Sequence, residues 1–359
     1  MTTSSEAVAS ALGAHIVDGP LKGHHHEAYA VRLSADSPLK SRFDWLKLRE
    51  PRPDVFWYDS RCFQSEEALL DVLREHRVPR IPEVLPVAEK VSVHSFIVGE
   101  TLGALTPDSK RVDDRHLGQI GELFQELAVI DVRAFEGLER VCGQEGMSRS
   151  GDSSGFLSGL VKHNIKTVHT SQKGRYDRLF HDLGVPDNAL ADFAAGLVQL
   201  TSRPYQLLHG DLHRENFIID GSGDLWTIDW ELARIGDPLY DLATHLHLMR
   251  YPEDQEGEMV RQWQNSVGSV RPEAVKGADA DLPHYLAYKR IQSVYTDIIR
   301  AVGPVWRPPD EAASVRAAQS VRRALLAATE PLRLGRVLPA EKIASILACF
   351  SEKSAVRAG

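Results

Sequence analysis

One short stretch in the second half of the chain constrains the fold and the chemistry more than any other feature. It reads HGDLHREN over residues 209–216, and IDWE follows over residues 228–231. Within it, Asp211 and Asn216 are separated by four residues, and a second acid, Asp229, comes after them. Such a set of side-chain oxygens can orient an attacking hydroxyl and hold a divalent cation against phosphates. The pattern therefore predicts phosphoryl-transfer chemistry and a fold that gathers these side chains.

The segment between Asn216 and Asp229 predicts how the two side chains meet. Two apolar, strand-like runs, at residues 217–219 and 225–228, flank the turn-rich sequence DGSGD at residues 220–224. Alternating apolar runs around Gly and Asp predict a β-hairpin. A hairpin returns the chain to its starting point, so the amide and the carboxylate are expected side by side. Both offer the hard oxygen ligands that Mg²⁺ prefers.

These motifs resemble those of the aminoglycoside phosphotransferase and choline kinase group, where H-G-D-x-x-x-x-N is followed by I-D-W/F-E. Protein kinases carry the related pattern H-R-D-x-x-x-x-N. Here Gly210 replaces the Arg, and Trp230 and Glu231 stand where D-F-G would continue. The run GDPLYDLA over residues 236–243 is also similar to that group. The departures from protein kinases argue for a small-molecule hydroxyl acceptor.

The resemblance implies an α+β, bilobal, protein-kinase-like fold. A small N-terminal lobe with an antiparallel sheet, residues 1–98, would bind the nucleotide, and a larger, mainly helical lobe, residues 99–359, would hold the catalytic and acceptor groups. Asp211 would orient the hydroxyl and accept its proton late, because an ordinary carboxylate is a weak base. Asn216 and Asp229 would hold Mg²⁺, and ATP or GTP would be the phosphoryl donor.

Two further residues of the motifs are given supporting roles. His209 is predicted to shape the catalytic loop. The resemblance gives Asp241 the role of bracing that loop, while capping the N-terminus of the following helix is an equally good physical interpretation.

A lysine for the α/β-phosphates is expected on a strand near the N-terminus. Residues 43–49 have strand character, and Lys47 lies where the group's phosphate-binding lysine is expected. It would supply a point charge. Lys40 and Arg49 are nearby alternatives, and so is a simple solvated lysine.

The acid that anchors this lysine is expected at the start of the next helix, for which Ser65 is the predicted cap. Glu66 is the preferred partner of Lys47, because apolar residues follow it four and seven positions later. Glu67 is the alternative, and either acid is also consistent with a favourable first-turn charge.

A strand, a turn and a second strand over residues 16–33 predict a cover for the nucleotide phosphates, with Gly23 and His24 at its tip. The three histidines at residues 24–26 suggest a metal site. However, successive residues of an extended chain point to opposite faces, so three neighbours do not readily share one ion.

Residues 94–98 are predicted to connect the two lobes. In the family, backbone groups of this connector bind the purine, and apolar side chains enclose it. Ser95, Phe96 and Ile97 are therefore the candidate base-binding residues, with a buried strand as the alternative. Backbone recognition leaves ATP and GTP undistinguished.

The acceptor pocket is the least constrained part of the sequence. Acidic residues are frequent between residues 211 and 297, which would suit a cationic antibiotic, although a solvated helix face explains those at 253–258 equally well. Tyrosines of this region more often pack than bind ligands. The candidate acceptor-binding residues are Glu231, Tyr288, Asp297 and Arg300.

Composition narrows the partners. The formal charge of −8, with mixed signs and no basic stripe, argues against nucleic acid. The three cysteines are odd in number and widely separated, which favours a reducing cytoplasm over disulfides or a zinc site. We find neither a leader-like segment nor an apolar run of bilayer length, so we expect no association with a membrane. Without a heptad pattern, a monomer is the default expectation.

Three functions remain open on the sequence. The first is antibiotic inactivation by O-phosphorylation, and the second is a kinase of a sugar, amino alcohol or nucleoside in metabolism. The third is an inert nucleotide-binding regulator. The complete set of Asp211, Asn216 and Asp229, with Lys47, argues against the third, because an inert protein has no chemical need for it.

Overall fold

The computed structural model describes residues 4–21, 23, 25–52, 57–59, 61–85, 91–141, 150–167, 174–302 and 311–358. The chain divides into two compact units. Unit 1 comprises residues 1–57, 61–142 and 205–275, and unit 2 comprises residues 58–60, 143–204 and 276–359. The predicted lobe boundary between residues 98 and 99 falls inside unit 1, and it stays a prediction.

Unit 1 begins with a helix and a sheet. Helix α1 spans Ser4–Ala11, and the sheet contains β1 (Ala14–Leu21), β2 (His26–Leu33), β3 (Trp45–Pro51), β4 (Val84–Leu85) and β5 (Ser92–Ser95). The strand order is β1-β2-β3-β5-β4, and every pairing is antiparallel. Antiparallel pairing lets one face stay polar while the other packs.

Alternation along β3 sorts its side chains between the two faces of the sheet. Leu46 and Leu48 are fully buried in a core that also contains residues of α1. Because side chains two apart on a strand point the same way, Lys47 and Arg49 share the opposite face. The sheet thus presents two cations on the face away from this core.

Helix α2 (Glu66–Glu75) confirms the helix predicted after Ser65. The Ser65 hydroxyl accepts a hydrogen bond from the Ala68 amide at 3.1 Å, which satisfies one of the free amides of the first turn. Leu69, Leu70 and Leu73 are buried on one face.

The rest of unit 1 carries the motif segment between short strands and helices. Its elements are β6 (Gly99–Thr101), α3 (Leu102–Leu105), α4 (Asp114–Val129), β7 (Gln206–Leu208), β8 (Phe217–Asp220), β9 (Leu225–Thr227), β10 (Arg234–Gly236), α8 (Pro238–Met249) and α9 (Glu253–Val270). Strands β8 and β9 form the predicted hairpin, with Phe217 opposite Thr227, and β6 extends it on the other side. Strand β7 pairs with β10.

Unit 2 is helical and encloses its own apolar core. Its helices are α5 (Ser153–Ile165), α6 (Asp177–Asp182), α7 (Ala189–Ala195), α10 (Ala278–Val302), α11 (Glu311–Ala327) and α12 (Ala340–Ala358). None of the helices in the described ranges is long and apolar enough to span a bilayer.

Strand β4 begins only at Val84, although the apolar residues before it have strand character. Arg80 has a left-handed φ of 55°, and Pro82 lacks the amide that a ladder needs, so the chain turns before β4 begins. Residues 86 and 87 lie outside the described ranges.

Candidate active site

The predicted catalytic loop, residues 209–216, leaves β7 through a glycine that no other residue could replace without strain. Gly210 has φ +82°, and an added Cβ would lie 2.7 Å from the Leu232 carbonyl oxygen. Left-handed backbone favours glycine, and the close approach of Leu232 excludes a side chain. This accounts for glycine where protein kinases carry arginine.

Asp241, fully buried in the first turn of α8, braces this loop. Its two carboxylate oxygens accept hydrogen bonds from the backbone amides of His209, at 2.9 Å, and Gly210, at 2.8 Å. The alternative interpretation as a helix cap is wrong, because Asp237 is the N-cap of α8 and accepts from the Leu239 amide at 2.9 Å.

His209 links the catalytic loop to the strand that precedes Asp229. Its Nε2 lies 3.1 Å from the carbonyl oxygen of Ile228, and its Nδ1 accepts a bond from the Asp211 amide at 3.3 Å. Only a neutral ring can donate from one nitrogen and accept at the other. Burial lowers the pKa of His209 to about 4, which keeps the ring neutral.

Asn216 holds Asp211 from the other end of the loop. The Asn216 amide nitrogen donates to the backbone oxygen of Asp211 at 2.9 Å and to its Oδ2 at 3.2 Å. His213 also approaches, with Nε2 3.4 Å from the same Oδ2. The amide oxygen of Asn216 makes no hydrogen bond with a residue that the structure describes.

Asp229 emerges from the hairpin beside Asn216. The Ile228 amide donates to the Asn216 carbonyl oxygen at 3.0 Å. Asp229 is the next residue after Ile228, so this bond brings its backbone close to Asn216. Asp229 has φ +66°, an uncommon conformation for a residue with a side chain. Burial, and next the charge of Glu231, raise the pKa of Asp229 to about 7, although 36% of its side chain is exposed.

Arg49 is the cation at the centre of the acidic cluster formed by Glu66, Asp229 and Glu231. It pairs with Glu66, and its Nη2 lies 3.5 Å from Asp229 Oδ1 and 3.4 Å from Glu231 Oε2. Burial disfavours the charged guanidinium, but these carboxylates outweigh burial and raise the pKa of Arg49. The Trp230 amide also donates to Glu66, at 2.9 Å.

The predicted pairing of Lys47 with Glu66 is therefore wrong in this structure. Lys47 forms no ion pair with any described residue, and burial, followed by the charge of Arg49, lowers its pKa. Glu67 lies 3.4 Å from His94 instead. The physical reason is that Lys47 and Arg49 share a strand face, and the sequence does not reveal which of them reaches helix α2. As a phosphate-binding residue, Lys47 stays a prediction.

Glu231 faces the turn between β1 and β2. Its Oε1 lies 2.5 Å from His25 Nδ1, and its Oε2 lies 3.1 Å from His26 Nδ1. The His25 ring stacks on Trp57, with 3.7 Å between ring centroids. The role of Glu231 in acceptor binding stays a prediction.

The sequence pattern indicates Arg49 only as an alternative to Lys47 for the phosphates, and it does not indicate that Arg49 pairs with Glu66. It indicates His25 and His26 only as part of a possible metal site, and their contacts with Glu231 were not predicted. Of the two predicted turn residues, Gly23 is exposed, and His24 lies outside the described residues.

The predicted base-binding segment runs from the end of β5. The Ser95 amide donates to the Glu83 carbonyl oxygen at 2.7 Å, and the Phe96 amide donates to the Trp45 carbonyl oxygen at 3.4 Å. The amides of Ile97 and Val98 make no hydrogen bond with described residues. Residues 95–98 also line a cavity of about 470 Å³.

The comparison that decides the family is a match over most of the chain. The sequence model described as "APH: Phosphotransferase enzyme family" matches residues 22–276. The chain belongs to this phosphotransferase enzyme family. The match includes all of the residues described above in the catalytic loop, the hairpin and the acidic cluster. The predicted family and the phosphotransferase class are confirmed.

Solved structures confirm the predicted protein-kinase-like α+β fold of this phosphotransferase. An ethanolamine kinase of Plasmodium vivax aligns with a TM-score of 0.56 and 13% identity, covering 89% of this chain and 82% of its own. The aminoglycoside phosphotransferase APH(4)-Ia, as a thermostable mutant in ternary complex with ADP and hygromycin B, gives 0.53 and 15%, covering 94% and 100%. The macrolide 2'-phosphotransferase MphH of Brachybacterium faecium gives 0.50 and 16%, covering 89% and 97%.

Both antibiotic phosphotransferases and an amino-alcohol kinase thus share the fold, so it does not select an acceptor. No curated protein matches the chain.

The remaining acceptor candidates of this phosphotransferase lie in unit 2. Tyr288 is buried and donates to the Leu160 carbonyl oxygen at 3.3 Å. Asp297 accepts from the Ser320 hydroxyl at 3.1 Å, and the Arg300 guanidinium lies 5.4 Å from the centre of the Tyr58 ring. These contacts are those of packing residues, and acceptor binding by these side chains stays a prediction.

The acidic residues at 253–258 fit the solvated helix face that was the alternative to a cation-binding pocket. Arg111 on the exposed surface pairs with Asp254, and also with Glu258 at 2.8 Å. They form a solvated, charge-paired helix face.

The donor set of the site fits a divalent cation. Asn216 offers an amide oxygen that no described residue occupies, and Asp229 offers a partly exposed carboxylate whose pKa is raised first by burial and next by the charge of Glu231. Oxygen atoms of Glu66, Asp229 and Glu231 lie within 4.8 Å of one another. Hard oxygen donors of this kind suit Mg²⁺.

Proposed function

We propose that the protein transfers the γ-phosphoryl group of ATP or GTP to a hydroxyl of an antibiotic. The observation that carries the proposal is the assembly of Asp211, Asn216 and Asp229 by one loop and one hairpin, next to a buried cation, Arg49. Family membership supplies the reaction class, and the acceptor is the proposed part.

Asp211 is the residue that receives the acceptor. Its Oδ2 is held by Asn216, whereas its Oδ1 makes no hydrogen bond with a described residue. Oδ1 is therefore available to the acceptor hydroxyl, which it orients toward the γ-phosphorus. Asp211 accepts the proton of this hydroxyl late in the transfer, because the phosphoryl transition state is loose and needs little assistance from a base.

Asn216 and Asp229 would hold Mg²⁺, which when bound neutralises charge on the phosphates. Arg49 keeps Glu66 and Glu231 paired, so that these carboxylates do not repel the incoming triphosphate. Lys47, on the same strand face, forms no ion pair with any described residue and would offer its ammonium to the α/β-phosphates. In the base segment, the amides of Ile97 and Val98 are available to a purine.

An antibiotic acceptor is supported by the alignment with a macrolide 2'-phosphotransferase and with an aminoglycoside phosphotransferase. One observation favours an amino alcohol as the acceptor instead: an ethanolamine kinase aligns with this chain with a TM-score of 0.56. Phosphorylation of an amino alcohol is therefore the second candidate.

The test is a transfer assay with purified protein, Mg²⁺ and γ-labelled ATP or GTP. The acceptor panel contains macrolides, aminoglycosides, choline, ethanolamine, sugars and nucleosides, and products are identified by mass spectrometry. A phosphate added to an antibiotic is the expected result. Phosphate on ethanolamine or choline alone would replace the proposal with the alternative. Nucleotide binding without any transfer would contradict both candidates.

A further inference from the structure

His213 lies two residues after Asp211, and each nitrogen of the His213 ring makes a separate contact. It is the N-terminal cap of the 3₁₀ helix Arg214–Asn216, and its Nδ1 accepts the Glu215 amide at 3.1 Å. A ring nitrogen that accepts carries no hydrogen, so the hydrogen of the neutral ring resides on Nε2. That Nε2 lies 3.4 Å from Oδ2 of Asp211.

Two donors therefore approach the same oxygen of the catalytic carboxylate. The Asn216 amide nitrogen lies 3.2 Å from Asp211 Oδ2, and Nε2 of His213 lies 3.4 Å from the same atom. Two contacts at one oxygen oppose rotation of the carboxylate, and Oδ1 makes no hydrogen bond with a described residue. Distances in catalytic groups are commonly long before substrate binds and shorten afterwards.

We infer that His213 is a positioning residue of the transfer reaction, which holds Oδ2 of Asp211 through its Nε2 hydrogen so that Oδ1 meets the acceptor hydroxyl. The inference rests on the proposed function of Asp211. It assigns two separate tasks to one ring: capping the short helix with Nδ1 and fixing the carboxylate with Nε2.

A capping role alone does not explain an imidazole at this position. Ser, Thr, Asp and Asn are the usual N-cap residues, because a short polar side chain reaches the amide two or three residues later. Imidazole spans both contacts at once. Burial lowers the pKa of His213, but the contact with Asp211 outweighs it and the net shift is upward, which agrees with a ring that donates toward a carboxylate.

Two substitutions separate the tasks. His213→Asn keeps an acceptor near the position of Nδ1 but is too short to reach Asp211, whereas His213→Gln carries an amide donor near the position of Nε2. Because a misplaced catalytic group can lower turnover by about 100-fold, we expect His213→Asn to lower kcat by about 10- to 100-fold. The KM for the nucleotide and the urea unfolding midpoint should stay as in the wild type.

His213→Gln should recover most of kcat, since it restores the donor and not the cap. His76→Gln is the matched control, because His76 is exposed on the surface and its Nδ1 lies 2.9 Å from the Val72 carbonyl oxygen, far along the sequence from the loop of residues 209–216. Wild-type kcat in His213→Asn, or equal losses in the Asn and Gln variants, would overturn the inference.

A second measurement does not depend on any acceptor. Nitrogen NMR of the histidine rings, with His213 assigned by its loss in His213→Gln, should show a protonated Nε2 and an unprotonated Nδ1. Asp211→Asn should shift the Nε2 signal of His213 and leave that of His76 unchanged; an unaffected His213 signal would overturn the contact. If the acceptor panel gives no product while the ring signal responds, the proposed function fails and the contact stands.

Discussion

The two halves of the site in unit 1 are built in different ways. The loop of residues 209–216 is held by hydrogen bonds to its backbone from buried groups: Asp241 binds two amides, and His209 binds an amide and a carbonyl. The acidic cluster is held by long charged side chains around Arg49. We therefore expect the loop to keep Asp211 in place and the cluster to respond to changes of charge.

A third anchor belongs to the loop half of the site. Arg214, a residue of the loop, is buried and donates to three backbone carbonyl oxygens, those of Met249 at 2.8 Å, Thr106 at 2.7 Å and Lys110 at 2.9 Å. Planar guanidinium groups suit such multiple contacts. The comparison teaches that one half of the candidate site is held through its backbone and the other through ion pairs, so substitutions in the two halves should have different effects.

The largest effect is expected from removing the central cation of the cluster. Arg49→Met leaves Glu66 buried and unpaired beside two other carboxylates. Breaking a buried ion pair from one side costs about 3–5 kcal/mol, so urea unfolding should show a loss of that size. Because the carboxylates can then be protonated, the loss should shrink as the pH falls.

Lys47→Met is the control for this substitution. Lys47 lies on the same strand face as Arg49, but its replacement removes no ion pair with a described residue. The free energy of unfolding should therefore change little, while the KM for the nucleotide rises. Equal loss of stability in both variants would contradict the assignment of Arg49 as the partner of Glu66.

The next effect tests the hydrogen bonds by which Asp241 holds the loop. Asp241→Asn leaves one of the two amides, of His209 or Gly210, without an acceptor. An unsatisfied buried donor costs about 1–3 kcal/mol, and kcat should fall along with the free energy of unfolding. Asp237→Asn removes a charge from the neighbouring N-cap and keeps its acceptor, so it should retain kcat. Normal kcat in Asp241→Asn would show that the loop needs no brace.

The smallest effect is the pH dependence of cation binding. Asp229 has a pKa raised to about 7, so a proton competes with the cation below neutrality, and affinity should weaken by up to about tenfold per pH unit there. The raised pKa also means that the ionised form weakens the fold: the favourable effect of the proton is present at low pH and is lost as the pH rises through about 7. Calorimetric titration of Mg²⁺ at pH 6 and pH 8 tests this. Equal affinities would contradict the shift.

The same contrast explains what the sequence could predict. The hairpin and helix α2 with its Ser65 cap followed from local patterns, and the α+β fold followed from the resemblance of the motifs to a known family. The partner of Glu66 did not, because Lys47 and Arg49 share one strand face and the difference between them depends on three-dimensional reach. The contacts of Glu231 with His25 and His26 span about 200 residues of sequence, and no local pattern records such a distance.

The most direct test of the account is transfer by Asp211→Asn. The substitution keeps the size of the side chain and removes the carboxylate that receives the hydroxyl. With the acceptor found in the panel, kcat should fall by about 10²- to 10⁴-fold, while nucleotide affinity and the unfolding midpoint stay unchanged. Turnover close to that of the wild type would contradict the central role of Asp211.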